Sequence, residues 1–354
     1  MSRLTRRVTA MAMAGTERLA LAALCVLALC AAAPAPSPVT PDLVAAAQKE
    51  GRVVLYTSIE LHLAERLGHA FEAKYPGITV QVERSGAERN FQRIAQEEAS
   101  NVHAADVVES SDIGHALSWK RDGLLAAYVP EDVAKYPTDA RDPDGFYAAD
   151  RATLSVMGYN THLVKTGDAP KSFADLLDPK WSEKIVKAHP GYSGTIMTAT
   201  FEQIEALGWP YFAKLAGQHV MQTQSATDPP KKLALGERPV MADGSEYVMF
   251  ELIAAGNPIA IIYPTEGTPL ILGSAGVMKD APHPHAARLF LNYLFSLEGQ
   301  QLMSDAGTRS LDPEVKEPKG RVPLKNLKLI RGDPEAQEKA IEAIKRKYAE
   351  YFGT

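Results

Sequence analysis

Three times in the first 120 residues a short apolar run ends in a polar turn and gives way to a helical pattern. Val53-Val54-Leu55-Tyr56 stops at Thr57-Ser58, and Leu63, Leu67, Ala70 and Phe71 then recur at helical spacing. Ile78 to Val82 leads through Ser85-Gly86 to a helix expected from about Glu88 to Ser100. Ala105-Asp106-Val107-Val108 leads through Glu109-Ser110-Ser111-Asp112 to a helix through Ala116 to Lys120. Continuous apolar strands alternating with helices mean a parallel sheet covered on both faces. Such open sheets bind ligands at the carboxyl edge of their strands, where helix starts add free N–H groups and partial positive charge.

After Tyr147 the pattern changes. Arg151 to Asn160 is a long β-leaning run, longer than one lobe needs, and reads as a crossing strand into a second lobe. That lobe holds a helix capped by Ser172, a strand around Lys184-Ile185-Val186, the turn Gly191-Tyr192-Ser193-Gly194-Thr195 and a helix from Ile196 to Leu207. It continues through a loop rich in Ser and Thr, the strand Pro239 to Ala242, and Asp243-Gly244-Ser245-Glu246-Tyr247 opening another helix. Ile259 to Tyr263 reads as the crossing back, followed by the turn Glu266-Gly267-Thr268, a helix Ala286 to Phe295 and a C-terminal helix Pro334 to Tyr351. The expected fold class is α/β, two doubly wound lobes joined by two crossing strands. The expected division is 1–33 as an export signal, 34–147 as the first part of lobe 1, 148–262 as lobe 2, and 263–354 as the return to lobe 1 with the C-terminal helices.

The first 33 residues combine Arg3, Arg6 and Arg7 with an apolar run, Leu19 to Ala33, too short for a stable span, and read as a cleaved secretory signal. Cys30 offers the alternative of a lipid anchor. Both cysteines, Cys25 and Cys30, lie there, so the rest has no disulfide, thiolate metal site or cysteine nucleophile. Removing that segment takes away four arginines and one glutamate, leaving a chain more acidic than the −5 of the whole. An exported acidic protein is a poor partner for nucleic acid.

Each polar turn alone is a weak signal, because Ser, Thr and Asp cap ordinary helices. Their recurrence at strand ends in both lobes is stronger, since two such lobes bring those edges face to face around a cleft. The candidate ligand residues are Thr57, Ser58, Glu60, Ser111, Arg151, Ser193, Gly194, Thr195, Ser245, Tyr247, Glu266 and Thr268. Arg151 suits a two-toothed grip on a carboxylate or phosphate, or alternatively an ion pair with Asp150. His283 and His285 flank Pro284 in what reads as an exposed loop, and Asp112, which could share a helix face with His115, reads instead as a capping aspartate beside an unrelated histidine. The turn after His189 has Thr195 where a hydrolase elbow needs glycine, so no catalytic constellation emerges.

The chain resembles the periplasmic solute-binding proteins of ATP-driven importers, in their iron(III)-type branch. The resemblance rests on Val53 to Ser58, Ala105 to Asp112, Ser193-Gly194-Thr195, Gly236-Glu237-Arg238-Pro239-Val240, Tyr263 to Thr268, Asn292 to Ser296 and Glu298-Gly299-Gln300, in that order along nearly the whole chain. It implies a periplasmic monomer without cofactor, closing by hinge motion over a small solute and delivering it to an inner-membrane permease and its ATPase. The family's ferric members carry two adjacent tyrosines where this chain has Tyr247 alone, and Glu60 falls near where a first-lobe histidine is expected. The remaining metal set, Glu60, Glu246 and Tyr247, is therefore the alternative, and an organic or phosphorylated anion is the favoured solute. An exported enzyme on the same scaffold is the alternative of another class.

Overall fold

The computed structural model describes residues 34–354. The export signal, its cleavage and the lipid anchor at Cys30 all fall on 1–33 and lie outside the described residues. No helix among the described residues is long and apolar enough to cross a membrane.

β1 (Arg52–Thr57) is buried at every position after its first, as a strand covered on both faces must be. It pairs in parallel with β2 (Thr79–Arg84) and β3 (Val107–Ser110), the arrangement expected from the repeated strand–turn–helix units. The first sheet runs β12-β11-β3-β1-β2, with β4 (Leu125–Ala126) and β5 (Ala148–Leu154) also pairing β11 (Thr268–Met278), and β12 spanning Leu329–Ile330. Its core packs Leu63, Leu67 and Phe71 of helix Leu61–Lys74 against Phe290 and Tyr293 of helix Pro284–Phe295. The second sheet has the order β10-β6-β9-β7-β8, from β6 (Met157–Asn160), β7 (Ile185–Ala188), β8 (Met221–Thr223), β9 (Val240–Met241) and β10 (Ile259–Ile262).

The crossings differ from the expected ones. The single long strand 151–160 is two strands: β5 stays in the first sheet, antiparallel to β11, and only β6 enters the second. The break falls where the backbone changes partners. Ser155 donates its N–H to Pro269 of the returning strand, whereas Val156 donates to Gly244 of the second lobe. The second lobe's sheet therefore begins after Val156, not at 148. On the return, Ile259–Ile262 belongs wholly to the second sheet, and β11, an eleven-residue strand absent from the sequence reading, carries the chain through the first. The helix expected after Ser172 is only a short 3-10 turn, Ala174–Leu177. A third passage follows β12: helix Pro334–Phe352 leaves the first sheet's edge and packs on the second lobe.

Beside that passage Glu202 is buried, one carboxylate oxygen accepting from the Gly332 N–H at 3.1 Å and the other unpartnered. Burial pushes its pKa from 4.5 up to about 8. Between those values the folded chain keeps a proton that the unfolded chain releases, so stability falls as pH rises, by at most ~1.4 kcal/mol per unit. Glu202→Gln is expected to melt above the parent at pH 8.5 and beside it at pH 4.5, read by thermal unfolding across pH.

Candidate ligand cavity between the lobes

The strand ends of the two lobes close around a small polar cavity with about 20 Å³ of room for solvent. Ser58, Arg84, Gly86, Ala87 and Ser111 line it from the first lobe and Ser193, Thr195, Ser225, Thr227, Ser245 and Tyr247 from the second, with Arg151 and Thr153 of β5 between. No carboxylate is in that lining.

Three helices begin here, Ala87–Ala99 after Gly86, Gly194–Leu207 after Ser193 and Glu246–Ala254 after Ser245. Gly86 and Ser245 offer no side-chain cap, so the first N–H groups of those helices have no side-chain acceptor. Positive helix ends, hydroxyl donors and guanidinium groups around a space without acids make a receptor for a small oxyanion.

The two arginines have different roles. Arg151 is buried and ion-paired to Glu109 at 2.5 Å and Asp150 at 2.8 Å, both fully buried. Burial raises the Asp150 pKa, with Arg151 pulling the other way. Glu109 is the organiser of this corner: one of its oxygens accepts from the Thr57 hydroxyl and from the N–H groups of Ser58 and Ile59. Ser58 in turn accepts the Ser111 N–H at 2.9 Å, fixing two strand-end turns together. Arg84, at the end of β2, forms no ion pair among the described residues. It donates to the Ile59 carbonyl and, across the cleft, to the Ser225 hydroxyl at 3.2 Å. It is the cation at this cavity without a local counter-charge.

Of the sequence candidates, Ser58, Ser111, Arg151, Ser193, Thr195, Ser245 and Tyr247 share the cavity. Thr57 lies behind it on Glu109. Gly194 is where the lobes touch: a Cβ there would stand 2.8 Å from the Asp112 Cβ and 3.0 Å from that of Ala87. Gly194→Ala is expected to hold the lobes slightly apart and weaken capture about tenfold with an unchanged melting point, read by calorimetry. Glu60 caps helix Leu61–Lys74 through the His62 N–H and faces an outer groove with Leu63 and Phe250. Glu266 and Thr268 are not at the cavity. Glu266 accepts the Phe173 and Ala174 N–H groups, capping the short turn after Ser172, and Thr268 is buried in the pairing of β11 with β12. Their turn follows β10, the edge strand of the second sheet, and packs on the 171–174 segment to one side of the cavity.

Sequence reasoning missed Arg84, Gly86, Ala87, Thr153, Ser225 and Thr227. The Ser- and Thr-rich loop it noted is the signal for the last two.

The alternative metal set does not assemble. Glu246 is held in a two-pronged pair by Arg309 at 2.8 and 2.9 Å and accepts the Tyr263 hydroxyl at 2.6 Å. Burial pushes the Tyr247 phenol up to about 12, away from the tyrosinate that a ferric ion needs. Glu98, His103 and Asp280, the described trio of metal-type donors within reach of one another, is not among the cavity residues. His283 and His285, read as loop residues, are tied to Asp106 and Glu50. Asp112 caps helix Ile113–Arg121, as expected, while His115 bonds Ser110.

Known proteins share this architecture. The structure of the periplasmic binding protein AfuA from Actinobacillus pleuropneumoniae, with fructose-6-phosphate bound, superposes with a TM-score of 0.79 at 25% identity, covering 86% of this chain and 99% of that one. Iron-bound HitA from Pseudomonas aeruginosa superposes at 0.73 with 21% identity, covering 84% and 99%, a likeness of fold. A Salmonella typhimurium protein named for 2-aminoethylphosphonate binding is 25% identical over 273 residues, 72% of this chain and 77% of its own. The model of the bacterial extracellular solute-binding proteins matches residues 104–323. The chain belongs to that family, the ligand-capturing components of ABC-type importers.

Proposed function

We propose that this protein captures a small phosphoryl- or phosphonyl-bearing solute between its lobes in the periplasm and, as a monomer, delivers it to an inner-membrane permease and its ATPase. The observation that carries the reading is the cavity's lining: Arg84 and Arg151, a set of hydroxyls and helix starts, and no carboxylate. Arg84 supplies the net positive charge, because Arg151 is already matched by Glu109 and Asp150. Ser58, Ser111, Thr153, Ser193, Thr195, Ser225, Thr227 and Ser245 supply donors around an oxyanion's several acceptors. Relatives named for a phosphonate and seen with a sugar phosphate support the same class of solute.

The protein acts without chemistry of its own in this reading, as a member of a family of solute-binding proteins whose cavity here is lined by hydroxyls and arginines with no Asp, Glu, His or Lys beside them. The test is isothermal titration with fructose 6-phosphate, 2-aminoethylphosphonate, inorganic phosphate and ferric citrate, followed by mass spectrometry of the recovered compound. Stoichiometric binding of a phosphorus oxyanion, recovered unchanged, is expected. Binding of ferric iron alone, with a visible tyrosinate charge-transfer band, overturns the reading, and turnover of the compound replaces it with an enzyme.

A further inference from the structure

The C-terminal helix, Pro334–Phe352, touches the two lobes by different kinds of contact. Toward the second lobe it is mostly apolar, with the Tyr348 hydroxyl also donating to Gln222 at 3.0 Å. Ile344 packs with Met197 and Phe201, and Tyr348, Tyr351 and Phe352 join the core that contains Phe212. The Tyr351 and Trp209 rings meet edge to face at 5.8 Å, and the buried Lys187 amine stands 4.9 Å from the centre of the Tyr348 ring. Toward the first lobe its bonds are polar. Glu338 accepts the Ser118 hydroxyl at 2.8 Å and pairs with Arg121, while Lys345 reaches Glu88 at 2.9 Å. Gln337 is buried and spans the gap itself: its amide nitrogen donates to Asp112 of the first lobe at 2.8 Å and to Thr198 of the second at 2.9 Å.

We propose that this helix is a latch carried by the second lobe, and that Gln337 is the positioning residue through which it sets the balance between open and closed lobes.

Apolar side chains interleaved with the second lobe part from it only by exposing their surface to water, so the helix moves with that lobe. Polar contacts to the first lobe exchange for water with little net loss when the lobes part, which is what a reversible catch requires. The catch sits beside the cavity. Asp112 follows Ser111 of the lining, caps helix Ile113–Arg121 and abuts Gly194, the glycine where the lobes meet. The second oxygen of Asp112 is buried without a partner, so the Gln337 amide, with the Gly114 N–H at 2.9 Å, is what holds this carboxylate in the closed interface. Closure thus depends on a residue that does not line the cavity, and affinity for any solute scales with the closed fraction that Gln337 maintains.

The latch rests on the capture reading only for the existence of lobe motion, and its test needs no ligand. Small-angle scattering of the unliganded protein reports the open fraction, and hydrogen exchange reports the protection of helix Ile113–Arg121. Gln337→Ala is expected to raise the open fraction about tenfold and to speed exchange at residues 113–121, leaving the second lobe's exchange and the melting temperature near the parent's. Gln337→Glu, which sets a carboxylate against Asp112, is expected to open the lobes further at neutral pH. Lys345→Met, which keeps the helix body, is expected to open them less. Unchanged scattering in both Gln337 variants overturns the proposal. So does a lowered melting temperature with faster exchange in the second lobe, since Gln337 is then an ordinary packing residue.

Discussion

Arg84→Ala is expected to weaken capture of a phosphoryl anion about a hundredfold while the protein melts where the parent does. Hydrogen bonds to a charged partner contribute about 1.5–3 kcal/mol each, and a hundredfold corresponds to about 2.7 kcal/mol. Nothing folded depends on this side chain for charge balance, because its present partners are a carbonyl and a serine hydroxyl. Arg151→Ala is expected to behave in the opposite way. Glu109 and Asp150 are fully buried and share its guanidinium, so removing it leaves two carboxylates without a counter-charge in the heart of the first lobe. That variant loses about 3–5 kcal/mol of stability before its affinity can be discussed. Titration calorimetry beside a thermal melt separates the two arginines. An Arg84→Ala protein that binds as tightly as the parent removes Arg84 from the site and, with it, the charge argument for an anion.

The contrast separates what a sequence pattern shows from what only the folded chain shows. Continuous apolar strands such as Val53 to Tyr56 announce themselves, because a parallel sheet buries both faces and leaves no polar alternation to confuse the pattern. Hydroxyl turns at strand ends were equally visible, and seven of the twelve candidates now line one cavity. Arg84 was not visible, since an arginine closing an edge strand reads as solvated surface. Its distinction is the lack of a nearby acid, a property of three dimensions. β11 was hidden for a different reason. Gly273, Ser274 and Gly276 make its middle read as a loop, yet they are small because neighbours are close: a Cβ on Gly273 would meet Asp150 at 2.8 Å, and one on Gly276 the Phe146 carbonyl at 2.8 Å. The register shift between Gly273 and Ser274 is where β11 accommodates the buried Arg151 cluster. Glu266 misled because the chain does not say where in the sheet a strand lies: β10 ends on the cleft side but at the sheet's edge, so the turn after it falls to one side of the cavity.

Glu246→Ala is expected to cost about 3 kcal/mol of folding stability, the penalty of taking the close partner from a buried charge whose other acid, the part-exposed Glu317, stands at 3.5 Å. Its partner Arg309 is 1% exposed and makes two parallel bonds to the carboxylate. The pair joins two parts of the chain: Glu246 opens a helix of the second lobe, while Arg309 is bridged to Ala152 of β5. It therefore lies across the hinge, behind the cavity and not in it, with the Tyr263 hydroxyl completing the carboxylate's shell. Glu246→Gln keeps the shape and the Tyr263 contact but not the charge, and is expected to lose less. Glu246→Met with Arg309→Met is expected to recover most of the deficit of Glu246→Ala, since an apolar pair needs no partner for a charge. Urea unfolding of the single and double variants measures each difference directly. Had Glu246 been a metal ligand, its replacement would leave the fold intact and abolish ferric binding. A Glu246→Ala protein as stable as the parent would return that residue to the ligand set and reopen the iron reading.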